Sequence, residues 1–130
     1  MSGIRRFKGP YGIVPTPFLQ NDKVDYGQIE RIADSLCDTE LSGIVVCGST
    51  SEFVMLSMEE NKEVMKAAAN AIHGRKPLVC GATGPDSRTC QEYILYMAKL
   101  GAQGALTAPP YYFRYDGDEV VEFYRSLGKA

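Results

Sequence analysis

The apolar run Gly43-Ile44-Val45-Val46 ends in Cys47-Gly48-Ser49-Thr50-Ser51-Glu52. Three consecutive hydroxyl residues beside a glycine offer closely spaced O–H and N–H donors, a set suited to a carboxylate or another small anion. Further polar groups follow three other apolar runs: Thr16, then Thr83, then the phenols of Tyr111 and Tyr112. A serine nucleophile needs an adjacent base, and Gly48-Ser49-Thr50-Ser51-Glu52 does not fit the GxSxG elbow. Neither GxxxxGK[ST] nor GxGxxG occurs, so no phosphate-cradling loop is indicated. The chemistry left is carboxylate binding by hydroxyls and backbone N–H groups, with tyrosine as a proton carrier.

Those groups need elements to hold them. The runs Tyr11–Val14, Gly43–Cys47, Pro77–Cys80 and Gly104–Thr107 start 27 to 34 residues apart. They are too short and continuous to be amphipathic, and read as strands buried on both faces, as in a parallel sheet. Helical patterns separate them. Asp25 with Gln28 resembles a capping box ahead of Ile29, Ile32, Ala33, Leu36 and Cys37. Ser57 with Glu60 is a better one, ahead of Val64, Met65, Ala68, Ala71 and Ile72, with Gly74 as the stop. The lone His73 falls in that last turn, where a cation suits the helix dipole, and its reading is structural. Ser87 is the expected cap of a third helix carrying Tyr93, Ile94, Met97 and Leu100, closed by Gly101. Asp116 or Asp118 opens a fourth, with Val120, Val121, Tyr124 and Leu127 as its apolar side. Residues 1–130 thus read as one α/β unit of four βα repeats with parallel strands. Ligands of such sheets gather at the carboxyl ends of the strands, where the hydroxyls lie.

Composition narrows the partners. With 45% hydrophobic and 23% charged residues the chain is globular, and a net charge of −2 gives no general attraction for nucleic acid or anionic membrane. No apolar stretch approaches a membrane span, and Met1–Gly9 lacks the apolar core of a secretory signal, so a cytoplasmic location is expected. Cys37, Cys47, Cys80 and Cys90 have no CxxC spacing, and one histidine does not make a Cys/His metal site. They read as reduced, structural thiols, with no metal or cofactor called for.

Three motifs in order carry a resemblance: Val14-Pro15-Thr16-Pro17-Phe18; Gly48-Ser49-Thr50-Ser51-Glu52 with Leu56-Ser57-Met58-Glu59-Glu60; and Pro110-Tyr111-Tyr112. The sequence is similar, from about Phe7 to Ala130, to the dihydrodipicolinate synthase / N-acetylneuraminate lyase family. Those enzymes are TIM barrels and class I aldolases that hold pyruvate as a Schiff base on lysine. The resemblance implies the first half of a (β/α)8 barrel, a homo-oligomer, and pyruvate or another small 2-keto acid as ligand. It gives Ser49 and Thr50 the keto-acid carboxylate, Thr50 a place in the proton relay, and Thr16 the floor of the pocket. It makes Tyr112 the residue that enters a neighbouring subunit's site, and Glu52 a structural acceptor of backbone N–H groups. Without it, Tyr111-Tyr112-Phe113 would read as packing or interface aromatics and Ser49–Ser51 as a cap. The Ser-Thr pair and Phe53–Ser57 resemble the sialic acid lyase branch more than the synthase branch. Ser51 departs from the family's glycine, and would be strained if that position requires a positive φ.

A full barrel takes eight βα units and typically ~250 residues. The family's Schiff-base lysine lies on the sixth strand and its central tyrosine on the fifth, beyond the four units here. The seven lysines, Lys8, Lys23, Lys62, Lys66, Lys76, Lys99 and Lys129, fall on helices, in loops or at the starting end of the third strand. An imine-forming lysine must be desolvated beside the carboxylate pocket. The expectation is half a site, inactive by itself. Two other readings remain open here: a noncatalytic half-barrel that self-associates or binds a small carboxylate, and a flavodoxin-like open sheet.

Overall fold

The apolar runs do form strands. β1 (Tyr11–Ile13), β2 (Gly43–Val46), β3 (Leu78–Gly81) and β4 (Gly104–Leu106) pair in parallel in the order of the chain, in a computed structural model that describes residues 7–129. Residues 1–6, most of the stretch read for a signal, and Ala130 lie outside the described residues. A doubly wound sheet reverses its strand order at a switch point. The order β1-β2-β3-β4 never reverses, so the flavodoxin-like arrangement is excluded and the helices α1 (Tyr26–Cys37), α2 (Met58–Ile72), α3 (Ser87–Lys99) and α4 (Gly117–Leu127) alternate with the strands as in a barrel wall.

The strands are not buried on both faces throughout. Register pairs Ile44 with Leu78 and Val46 with Cys80, and all four are buried in the core with α2's Val64, Met65, Ala68 and Ile72. The opposite face carries Ile13, Val45 and Val79 in one row. There Ile13 is 44% exposed and Leu106, at the far edge, 50%. Only β2 is buried at every residue. Parallel strands are buried on both sides when both sides are covered, and within this chain the helices cover one.

Local chemistry sets the helix starts. Ser57 Oγ accepts from Glu60 N at 3.1 Å while Glu60 Oε2 accepts from Ser57 N at 2.8 Å, a complete capping box. Asp116 and Glu119 make a second at α4. Asp25 caps α1 through Gln28 N at 2.9 Å, but Gln28 Oε1 accepts from Arg31 instead of reaching back, so that box is half formed. At α3 the cap is Asp86 and not Ser87: the Asp86 carboxylate accepts from both Thr89 N (2.9 Å) and Thr89 Oγ1 (3.2 Å), which leaves Ser87 as the first helical residue. The Thr89 N–H above all, with the Thr89 hydroxyl beside it, holds the Asp86 carboxyl below the usual range. The apolar side of α4 is also rotated from expectation. Leu127 is buried and Phe123 half-buried, whereas Val121 and Tyr124 are 46% and 43% exposed. Tyr124 still reaches the sheet, its hydroxyl donating to Thr107 O at 3.2 Å, and on the α3 side Gln91 Nε2 donates to Ser126 O.

Among the described residues no helix is long and apolar enough to cross a membrane. Removing one capping hydroxyl tests how α2 is held. Ser57→Ala is expected to lower stability by about 1 kcal/mol, read as a lower urea midpoint at unchanged m-value. An unchanged midpoint would show that α2 starts without its box.

Candidate active site

The residues after β2 are turned by unusual backbone. Cys47 has φ 56° and Glu52 φ 57°, both in the left-handed region that side chains other than Asn and Asp rarely adopt. Between them Ser49–Ser51 form a short 3₁₀ turn, closed by Ser51 N to Gly48 O and Glu52 N to Ser49 O, each 3.0 Å. The N–H groups that begin such a turn have no acceptor within it and are left to a ligand or water. Ser51 itself is free of the strain anticipated for it, since the left-handed conformations fall on its neighbours Cys47 and Glu52.

Three contacts hold the turn. The Cys47 carbonyl presses on β3 so closely that a Cβ built on Gly81 would lie 1.6 Å from it, and only glycine fits. Fully buried Ser51 donates through Oγ to Val14 O at 2.6 Å, and its carbonyl accepts from Thr16 Oγ1 at 2.6 Å. Beyond the turn, the two hydrogens of Asn61 Nδ2 are shared among the carbonyls of Phe53 (3.1 Å), Leu56 (3.3 Å) and Ser57 (3.1 Å), tying the loop to α2. The Cys47 thiol is 3.5 Å from the Asn61 carbonyl. Asn61 was missed in the sequence. Its signal was there: a polar residue on the stripe of Val64, Met65 and Ala68, 3% exposed.

A cavity of about 300 Å³ opens at the carboxyl ends of β2, β3 and β4, lined among others by Gly48, Ser49, Thr83, Leu106, Thr107 and Tyr111. Thr83 Oγ1 accepts from Ala108 N at 3.0 Å, and Thr107 Oγ1 lies 3.3 Å from Ala82 O as donor, so the walls after β3 and β4 are bonded together. Of the four residues expected at the site, Ser49 lines this cavity. Thr50 follows it on the turn, exposed. Thr16 is buried behind the turn, its hydroxyl committed to Ser51. Tyr112 is 86% exposed and stacks edge-to-face on Phe113 at 5.0 Å, while its neighbour Tyr111 reaches the cavity. The structural role expected of the Glu52 carboxylate is not seen: it is exposed and accepts no hydrogen bond among the described residues, because left-handed backbone at Glu52 makes the turn without it.

No lysine or histidine is among the residues lining the cavity. Lys76 Nζ donates to Thr39 O at 2.8 Å at the starting end of β3, Lys62 pairs with Glu92 and Lys66 with Glu63. Exposed His73 ends α2 with φ 49° and is its C-cap, one residue past the last turn. Burial pushes the thiols of Cys47 and Cys80 up, the latter to about 12, so neither supplies a thiolate near neutral pH. The cysteines are all free. Among the described residues no group of three His, Cys, Asp or Glu could hold a metal ion. The arrangement can hold a small anion, and the Tyr111 phenol is a proton-carrying group at the same cavity.

Four parallel βα units in unbroken order, with hydroxyls and N–H groups at the carboxyl ends of the strands, match the amino-terminal part of a TIM-barrel enzyme. Residues 6–129 match the Dihydrodipicolinate synthetase family, and the chain belongs to that family. A 4-hydroxy-tetrahydrodipicolinate synthase of Microcystis aeruginosa is 33% identical over 115 residues, 88% of this chain and 39% of that protein. The crystal structure of N-acetylneuraminate lyase from Mycoplasma synoviae superposes with a TM-score of 0.88 at 29% identity, over 95% of this chain and 43% of the other. The fold is shared as well by YagE of E. coli K12, a prophage protein whose structure is a complex with pyruvate, at a TM-score of 0.89, 24% identity, and 95% and 41% coverage. The chain therefore spans about two-fifths of the length of the relatives it matches.

Gly81→Ala tests the close approach that shapes the turn. Forcing a Cβ against the Cys47 carbonyl is expected to cost at least ~1–3 kcal/mol, measured by denaturant unfolding. A variant as stable as the wild type would show that the carbonyl is free to move aside.

Proposed function

We propose that residues 1–130 are a single (βα)4 unit, the amino-terminal half of a pyruvate-dependent Schiff-base lyase or synthase that cleaves or forms a 2-keto acid by aldol chemistry. Membership of a family of synthases and lyases supports this reading, and the observation that carries it is Ser49, facing the cavity at the carboxyl ends of the strands. In this reading Ser49 and Thr50 hold the carboxylate of pyruvate or another small 2-keto acid with hydroxyls and backbone N–H groups. Such charge-assisted bonds are about twice as strong as neutral ones. The Thr50 hydroxyl takes part in the proton relay. Thr16 forms the floor by holding the Ser51 carbonyl from behind. Tyr112, which contacts little of its own chain, completes the relay in the site of a neighbouring subunit of a homo-oligomer, in the cytoplasm.

No resident cofactor enters the scheme. The Schiff-base lysine and the central tyrosine belong to the family's sixth and fifth strands. The chain by itself binds the keto acid weakly and does not turn it over. A second reading, a noncatalytic half-barrel that self-associates, draws on the exposure of Ile13 and Leu106 at opposite edges of the uncovered face.

Intact-mass spectrometry after treatment with pyruvate and borohydride tests the lysine argument. The 14.3 kDa chain is expected to show no reduced-pyruvate adduct. An adduct on that chain would mean that one of its seven lysines forms the imine. Native mass spectra of the same sample test the second reading, since a chain that stays at 14.3 kDa at every concentration is not a self-associating half-barrel. For Tyr112, substitution by alanine is expected to change the stability of the chain by less than ~0.5 kcal/mol. A larger loss in urea unfolding would show that the ring packs at home and is not held out for a partner.

A further inference from the structure

The carboxyl ends of β1 and β2 are joined by a reciprocal pair of hydrogen bonds. Thr16 Oγ1 donates to the Ser51 carbonyl and Ser51 Oγ to the Val14 carbonyl, each at 2.6 Å. Both donors are buried, Ser51 completely. Val14 N donates in turn to Val45 O at 2.9 Å, so residues 14–16 are fastened to β2 before the turn and within it. Ser51 is fully buried and its hydroxyl is committed to the Val14 carbonyl, so it is not a ligand group. It follows Ser49 and Thr50 directly and closes their 3₁₀ turn through Ser51 N to Gly48 O.

We propose that Ser51 is the positioning residue of the carboxylate site: its buried hydroxyl fixes the Ser49–Thr50 turn against the end of β1 and so sets the affinity for the keto acid. The inference rests on the keto-acid reading above. Its physical basis is constraint. Left-handed conformations at Cys47 and Glu52 persist only where the surroundings over-determine them. The Asn61 bonds act beyond the turn, on the carbonyls of Phe53, Leu56 and Ser57, and the Gly81 contact acts before it, on Cys47. Inside the turn, the anchors to β1 both pass through Ser51. Without its hydroxyl, the Val14 carbonyl loses that donor in a buried setting. The Thr16 bond to the Ser51 carbonyl is then the one anchor to β1 left inside the turn, which gains freedom to shift, and the donors of Ser49 and Thr50 converge less closely.

The full chain, labelled with ¹⁵N, is titrated with pyruvate while the Ser49 and Thr50 amides are followed, and amide exchange of residues 49–52 is measured without ligand. Ser51→Ala and Ser51→Gly are compared with wild type and with Arg75→Ala. Arg75 donates to the Ala71 and Ile72 carbonyls at the far end of α2, so its loss destabilises the fold away from the site. Both Ser51 variants are expected to weaken pyruvate binding about five- to tenfold, the scale of one well-made hydrogen bond. They should also speed exchange at 49–52, whereas Arg75→Ala should do neither despite a lower thermal midpoint. The glycine variant gives the answer if the alanine chain does not fold. Unchanged exchange at 49–52 in the Ser51 variants overturns the positioning role, as does an affinity loss in Arg75→Ala equal to theirs. A wild type without a saturable shift at Ser49 and Thr50 overturns the keto-acid reading instead, while exchange still decides whether Ser51 holds the turn.

Discussion

The Cys47 carbonyl occupies the place where a side chain at position 81 would stand. That exclusion is the constraint on which the site depends. It lets β2 leave the sheet abruptly, so that the next residues fold back as a tight turn over the strand ends rather than continuing along them. The cost of left-handed backbone at Cys47 and Glu52, of order 1 kcal/mol or more each, is offset by contacts on three sides. The turn is therefore shaped by groups that do not touch its ligand, and its hydroxyls and N–H groups are pre-oriented.

A site made from hydroxyls and amides differs from one made with a fixed cation. The cavity lining has no lysine or arginine, and the cationic groups near strand ends, such as Lys76, serve carbonyls at the opposite end of the sheet. A small anion held by such a site would be recognised by geometry more than by long-range attraction. Polar groups here bond first to each other: Thr83 to Ala108, Thr107 to Ala82, Thr16 to Ser51. Rigid walls and one open turn are the result.

Most of the architecture was legible because it rests on local signals. Short continuous apolar runs at βα spacing marked the strands, and Ser57 with Glu60 marked the start of α2 within the residue. Where two capping groups are adjacent, as Asp86 and Ser87 are, the sequence leaves the choice to geometry, and the carboxylate reached Thr89 first. The α4 stripe was misjudged because Val121 and Tyr124 look as apolar as Phe123, and which side faces α3 is decided by packing. The motif around Ser49 pointed to the cavity. What holds it there showed less: Asn61 stands out only as a polar residue on an apolar stripe, with partners four to eight residues back that the stripe does not name, and Gly81 acts on Cys47, far off in sequence. Tyr112 is a third case: the motif singled it out, and the structure leaves its ring 86% exposed beside Phe113, away from the cavity that Tyr111 reaches.

The unbroken strand order has a kinetic side. Each βα unit pairs with the one made just before it, so the sheet can grow one strand at a time as the chain leaves the ribosome, N-terminal units first. No early strand waits for a distant partner, and loop-closure costs stay small at every step. The outer edge of β4 is then a growth front, and β1, the first strand made, keeps its own outer edge open. The same edges, left uncovered during slow synthesis, offer unpaired N–H and C=O groups to any neighbouring chain, so speed of elongation becomes a determinant of yield.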